Sequence, residues 1–258
     1  MRSANCYLPW EAEIVERVQE SPDTFTWKLS FTDPEIARSY TFRHGQFNML
    51  YLFGAGEVAI SVMSGDGNNL WHTIRAVGRV TRAMMELPVG SRIGVRGPFG
   101  RGWPLQEARG KDLVFVTAGL GCAPVMSSIR YVEAHRADYG RLVIMQSVRH
   151  RHEALWEPQY AAWRAQPDTQ VLLTSSRDKT RWPLWELGRV GVLLDQRLHL
   201  EQHARPALRR MFGPARLRAH GRGHRRIHLC HIIAADIAGD AAGGVGGHGQ
   251  VGVHIQKQ

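Results

Sequence analysis

Residues 114–135 read VFVTAGLGCAPVMSSIRYVEAH. Val114, Phe115 and Val116 are β-branched or aromatic and read as a buried strand, whereas Val125, Met126, Ile129 and Val132 recur at the three-to-four spacing of one helix face. The glycines therefore fall where a strand hands over to a helix. Gly119 and Gly121 allow positive φ and close backbone approach, and Pro124 near the helix start occupies a site where a missing N–H costs nothing. Backbone N–H groups at such a helix start, together with the positive end of its dipole, favour a phosphate or pyrophosphate. An ordinary tight strand-to-helix turn carries the same glycines, so the motif alone leaves both readings open.

The 258-residue chain suits one large domain or two smaller ones. Hydrophobic content of 43% and charged content of 22% are those of a globular protein. No apolar run approaches the roughly 20 residues that cross a bilayer, so no membrane insertion is expected. The opening MRSANCYLPWEAEIVERV lacks the pattern of a secretory signal, which gives a cytoplasmic expectation. Cys6, Cys122 and Cys230 are isolated, arguing against a disulfide framework or a CxxC pair. The net charge of +10 is uneven: residues 196–258 hold ten Lys/Arg against three Asp/Glu, leaving the remainder nearly neutral.

Residues 8–100 read as short β segments broken by turns: EAEIVERVQ, DTFTWKLSF, QFNMLYLF, EVAISVMS, HTIRAVGRVT and SRIGVRG. That spacing predicts an antiparallel barrel or sandwich. From about residue 111 strands and helices alternate, as LVFVTA, PVMSSIRYVEAH, RLVIMQSV, EALWEPQYAAWRAQ and TQVLLTSS, which predicts a parallel α/β sheet. The expected organisation is β plus α/β: an antiparallel barrel domain over 8–106, a parallel α/β domain over 110–195, extendable to 214, and an irregular basic tail over 196–258. The tail has too little apolar surface to offset the entropy of ordering it.

Together the barrel, the strand-GLGCAP-helix unit, GPFGRGWP and GRVT resemble the ferredoxin–NADP reductase superfamily. Within it, the chain is most similar to gamma subunits of NiFe hydrogenases and sulfhydrogenases, with anaerobic sulfite reductase and dihydroorotate dehydrogenase electron-transfer subunits nearby. The resemblance covers residues 8 to about 195. It implies an FAD-dependent NAD(P)H oxidoreductase that exchanges electrons with a hydrogenase- or sulfite-reductase-type partner subunit, with FAD on the barrel and its ring between the domains.

On that resemblance, Val58-Ala59-Ile60-Ser61 matches the flavin strand, with Ser61 near flavin N5 and Ile60 on the ring. The arginine usual in that motif is missing, and Arg75 or Arg79 would supply the charge. His72, Thr73, Ile74 and Arg75 match a flavin-contacting strand; Gly78, Arg79, Val80 and Thr81 match a following turn that offers amides and a hydroxyl to phosphates. Ser61 and Thr81 as plain strand residues is the competing reading. Thr117, Ala118, Gly119, Gly121, Cys122 and Pro124 match the loop that holds the nicotinamide dinucleotide, with Thr117 beside the nicotinamide. Ser61 and Thr117 are thus the catalytic candidates, in a reaction that needs positioning rather than a side-chain acid or base.

After the second α/β strand comes Arg149, and after the third Ser175 and Arg177, with no acidic residue placed for a ribose 2′-hydroxyl. This favours NADPH over NADH without excluding NADH. Cys122 reads as a small buried filler or as a reactive thiol at a helix start. Trp156, Trp163, Trp182 and Trp185 read as core or domain packing, and WPLWELGRVGVLLDQ as a structural segment.

Relatives of this kind end in a CGP motif and four cysteines for a [2Fe-2S] cluster. Here Met211-Phe212-Gly213-Pro214 has Phe for that cysteine, and Gly246-Gly247-His248-Gly249-Gln250 has glycines where CGHCQ has thiols, so no cluster is expected in this chain. The alternatives are a non-catalytic or frameshifted remnant of such a reductase, or a tail with its own role. His220, His224, His228 and His231 would be the metal candidates, but Gly221 and Gly223 oppose a helix there. A tail that binds nucleic acid through its basic residues is a third alternative, but without interleaved aromatics such contacts are only salt-sensitive, so no specific nucleic-acid partner is expected.

Overall fold

In a computed structural model of the chain, residues 7–180 and 185–187 are described. Expectations for Cys6, Trp182, Cys230, the tail histidines and the two degenerate cysteine motifs lie outside these residues. The described residues divide into two compact units. One runs to Trp103 and takes in Ala123–Glu133; the other comprises Pro104–Cys122 and the described residues from Ala134.

In the first unit the β-rich segments form seven antiparallel strands: β1 (Trp10–Ser21), β2 (Thr24–Phe31), β3 (Phe47–Leu52), β4 (Gly56–Ser61), β5 (Ser64–Gly65), β6 (Asn69–Arg75) and β7 (Arg92–Phe99). Their order is β4-β3-β7-β1-β2-β6-β5. Strand β1 shows why: Ala12 and Ile14 point inward while Glu11 and Val15 face out, the period of a half-buried strand. Strand β2 is buried along most of its length, and Trp27, Phe25 and Leu29 fill the centre with Ile74 from β6 and Leu50 from β3. The sheet is barrel-like, for β4 and β6 meet where His72 Nδ1 lies 2.9 Å from the Ser61 carbonyl oxygen.

Two short helices interrupt the β pattern. Helix α1 (Pro34–Ser39) is started by Asp33, whose Oδ1 accepts from the Glu35 N–H at 2.8 Å, with Pro34 in the first turn. Helix α2 (Arg79–Met85) corrects the reading of HTIRAVGRVT as one β segment ending in an open turn: the strand stops at Arg75 and GRVT begins a helix. Thr81 Oγ1 accepts the N–H groups of Val77 and Gly78 at 3.1 and 3.0 Å and so fastens that start.

The second unit is built on a parallel sheet of β8 (Leu113–Ala118), β9 (Leu142–Val148), β10 (Thr169–Ser175) and β11 (Trp185–Leu187), ordered β11-β10-β9-β8. Every residue of β9 is buried, as a strand covered on both faces requires. Leu113, Leu142 and Thr169 are in register, so the three strands end together at Ala118, Val148 and Ser175. At the opposite rim, Arg136 donates to the carbonyls of Tyr139, Gly140 and Asp168 at 3.1, 2.6 and 3.0 Å. Asp112 Oδ1 accepts the Arg141 N–H there at 2.8 Å.

Helix α3 (Ala123–Ala134) buries Val125, Met126, Ile129 and Val132, the face its spacing predicted. Of EALWEPQYAAWRAQ only the central stretch is α-helical, as α4 (Glu157–Arg164); Trp156 before it takes a left-handed φ of 58°. Trp163 and Trp185 are buried packing residues, at 0% and 2% exposure.

Candidate functional site

The strand-to-helix turn is wound tighter than its sequence suggests. Gly119–Cys122 form a 3-10 turn that runs directly into α3, and Gly119 alone of its glycines has positive φ, at 52°. That value lies in the left-handed region, where a side chain is costly. Gly121 is buried, Pro124 sits second in α3, and Ala118 and Gly119 are half-exposed at the strand end. Cys122 is buried and hydrogen-bonds the equally buried Tyr160 hydroxyl, which fits the reading of a filler under the turn.

Thr117 lies near the end of β8. It is 3% exposed, and its hydroxyl hydrogen-bonds Gln146 Oε1 and lies 3.0 Å from the Met145 carbonyl oxygen. The hydroxyl is turned into the sheet, because β8 is buried on this face. Gln146, a residue the sequence reading did not single out, completes the arrangement: its Nε2 donates to the Gly119 carbonyl at 2.8 Å. One buried carboxamide thus ties the end of β8 to the positive-φ glycine. The available signal was a lone long polar side chain within the apolar run LVIMQSV.

Beyond β9 the basic side chains are already engaged. Arg149 Nε lies 3.2 Å from Glu153 Oε2, and Arg151 Nη2 lies 2.9 Å from Glu157 Oε1. Asp178 clamps the loop by accepting from His150 Nδ1 and the Arg151 N–H, both at 2.9 Å. These bonds from His150 and Arg151 hold its carboxyl below the usual range, against a slight opposing effect of burial. Ser175 is fully buried at the end of β10; Arg177 is exposed, with its N–H on the Arg149 carbonyl.

In the antiparallel unit, Ile60 and Ser61 are half-exposed at the end of β4. By contrast His72, Thr73 and Ile74 are buried side chains, at 0%, 4% and 0% exposure, so that strand presents little side-chain surface here. Thr73 Oγ1 lies 2.9 Å from Thr26 Oγ1, and Ile74 packs in the core because β6 is covered on both faces. Arg75 Nε donates to Asp23 Oδ2 at 2.7 Å, so its charge is already matched. Burial raises the Asp23 pKa, but hydrogen bonds from Arg75, Thr24 and Ser21 outweigh this and leave it lowered. The Thr81 hydroxyl is spent on the start of α2. Gly78 and the half-buried Val80 line that start, and Arg79 is exposed beside Gly56 of β4. Of the two arginines weighed for the missing charge, Arg79 is the one without an ion pair among the described residues.

Burial drives the His72 pKa from its ordinary 6.5 down to about 4, despite bonds to the Ser61 and Ile60 carbonyls that favour the charged form. The unfolded chain therefore takes up a proton that the folded chain refuses between those values. Stability should fall as pH drops from about 6.5 towards 4, by up to about 3 kcal/mol, and this contribution should level off below. Denaturation midpoints at stepped pH for wild type and His72→Leu check this; the variant should lose that slope.

No family model matches the chain. Its architecture is that of ferredoxin–NADP reductase-like reductases. A ferredoxin NADP+ reductase from Neisseria gonorrhoeae, solved with bound FAD and NADP, superposes with a TM-score of 0.60 at 26% identity, over 72% of this chain and 75% of that one. The cytochrome b5 reductase domain of Ulva prolifera nitrate reductase gives 0.63 at 15% identity, over 76% and 85%.

Among curated relatives the similarity is to electron-transfer subunits. Sulfhydrogenase 1 subunit gamma of Pyrococcus furiosus is 35% identical over 157 residues, 59% of this chain and 54% of that protein. A probable dihydroorotate dehydrogenase B (NAD(+)) electron transfer subunit of Methanocella arvoryzae is 31% identical over 117 residues, 45% and 41% of the two chains. The chain spans about half the length of the curated relatives it matches. Among the described residues no helix is long and apolar enough to cross a membrane.

Proposed function

We propose that the chain is an FAD-dependent electron-transfer subunit that passes electrons between NAD(P)H and a partner redox enzyme of hydrogenase or sulfite-reductase type, in the cytoplasm. The observation that carries this reading is the pinned 3-10 turn of Gly119–Cys122 at the end of a parallel strand, in a chain whose other unit is a barrel-like antiparallel sheet. Similarity to sulfhydrogenase gamma and dihydroorotate dehydrogenase electron-transfer subunits supports it.

The residues present fit both cofactors. Ile60 offers an apolar surface for a flavin ring and Ser61 a hydroxyl beside it, while Arg79 and the Gly78–Val80 backbone suit a pyrophosphate. Ala118, Gly119, Gly121 and Pro124 form a helix entry whose N–H groups and dipole suit the phosphates of a dinucleotide. Arg149 and Arg177 would meet its adenosine end; the Arg149–Glu153 pair must open for a 2′-phosphate, so NADH and NADPH both remain substrates to test. When bound, the nicotinamide and flavin supply hydride chemistry themselves. The protein holds, orients and dries the reactants.

The test is the visible absorption spectrum of the purified chain before and after anaerobic addition of NADPH or NADH. A flavin spectrum that bleaches is expected. A colourless protein that takes up no added FAD would overturn the reading in favour of a remnant. In the same assay Gln146→Leu should slow bleaching about tenfold with FAD content unchanged, since losing a buried hydrogen-bonding group costs about 1–3 kcal/mol.

A further inference from the structure

A polar chain crosses the interior of the antiparallel unit. The Tyr40 hydroxyl is 2.7 Å from Asn48 Oδ1, Asn48 Nδ2 is 3.3 Å from His72 Nε2, and His72 Nδ1 is 2.9 Å from the Ser61 carbonyl oxygen. Asn48 and His72 are both 0% exposed. None of these three side chains is needed to hold up a strand ladder, and an imidazole among apolar neighbours carries a desolvation cost, so its placement calls for a reason.

The direction of every bond follows from one end. A carbonyl oxygen only accepts, so His72 Nδ1 carries the proton. In a neutral ring Nε2 is then bare and needs a donor, which must be the Asn48 amide N–H; that turns Asn48 Oδ1 towards Tyr40, whose hydroxyl donates. A protonated ring would set an N–H against the Asn48 amide N–H. Burial keeps the ring neutral by lowering its pKa to about 4, and burial raises that of Tyr40, which stays a hydroxyl. Room for Asn48 comes from the GPFG segment: a Cβ on Gly97 would collide with Asn48 Oδ1.

What the chain grips is the end of β4. That strand is terminal in the sheet order and pairs with β3 alone. No ladder joins it to β6, the strand that faces it across the closure. The His72 imidazole supplies a cross-link there, on the backbone of the half-exposed pair Ile60 and Ser61.

We infer that His72 is a positioning residue whose Nδ1–H, aimed by Asn48 and Tyr40, fixes the Ile60–Ser61 end of β4 against β6 and so sets the surface that a flavin ring would use. The second half rests on the function proposed above; the first does not.

Both halves are tested on the full chain. In wild type, nitrogen-resolved NMR of the histidines should show His72 in the Nδ1–H form. Amide hydrogen exchange is then compared for residues 57–62 without FAD, including Val62, whose N–H donates to the Gln46 carbonyl at 2.9 Å. His72→Leu should speed that exchange roughly tenfold or more while the β1–β2 ladder keeps its protection. His72→Asn, whose amide can put an N–H where Nδ1 was, should restore most of it, and His72→Gln, which mimics Nε2 instead, should not. Tyr40→Phe should give a smaller rise, and decides the matter if His72→Leu does not fold.

With FAD added, the flavin midpoint potential should shift in His72→Leu and return in His72→Asn. An Nε2–H ring, or equal exchange in all variants, overturns the cross-link. Altered exchange with an unchanged potential overturns its reach to the flavin. A wild type that binds no FAD defeats the proposed function, while the exchange comparison still decides the cross-link.

Discussion

Gly119→Val is expected to abolish most dinucleotide-driven bleaching while leaving FAD content at the wild-type level. Gly119 sits at φ 52°, where a β-branched side chain is a steric outlier, and its carbonyl must stay aimed at Gln146 Nε2. Holding a non-glycine residue there costs about 1–3 kcal/mol, which corresponds to roughly tenfold or more in the population of the competent turn. Gly119→Asn should lose far less, since asparagine tolerates the left-handed region. Rates of flavin bleaching at stepped NADPH concentrations check both. A valine variant that bleaches at the wild-type rate would mean that the dinucleotide does not use this turn.

The second large effect is on stability. Ile74 is 0% exposed in the core shared with Phe25, Trp27 and Leu50. Ile74→Ala should cost about 2–5 kcal/mol through lost burial and the cavity left behind. Against a typical total of about 5–15 kcal/mol, that is enough to lower the melting temperature of the FAD-free chain markedly. Thermal melting recorded without FAD separates this from a flavin contact. If Ile74 touched the ring instead, the variant would melt normally and only FAD affinity would fall.

Most of the β framework was legible because burial imposes a period on sequence. Trp10–Ile14 alternates, β9 is apolar over Leu142–Met145, and α3 repeats every three to four residues. The two short helices were hidden for opposite reasons. In Asp33-Pro34-Glu35 the cap and the proline were both present but opened a helix of only six residues. In GRVT, the β-branched Val80 and Thr81 matched a strand, and only the fold shows Thr81 turned back to cap its own helix.

The candidate site was legible as backbone and less so as side chains. The glycine turn stands where it was read, because glycine reports backbone geometry directly. Which way Thr117, Ser175 or His72 points depends on whether a strand is covered on one face or two, and that is a property of the neighbours. Gln146 and Asn48 escaped notice since their partners, Gly119 and His72, lie 27 and 24 residues away.

The far rim of the parallel sheet gives the last point. Arg136 laces three carbonyls together there and Asp112 holds Arg141, whereas the rim at Ala118, Val148 and Ser175 opens into turns where the Gln146 and Asp178 side chains add to backbone bonds. The sheet thus has one laced end and one open end. On the proposed function, substitutions around Arg149 and Arg177 at the open end would retune nucleotide choice without disturbing the lacing.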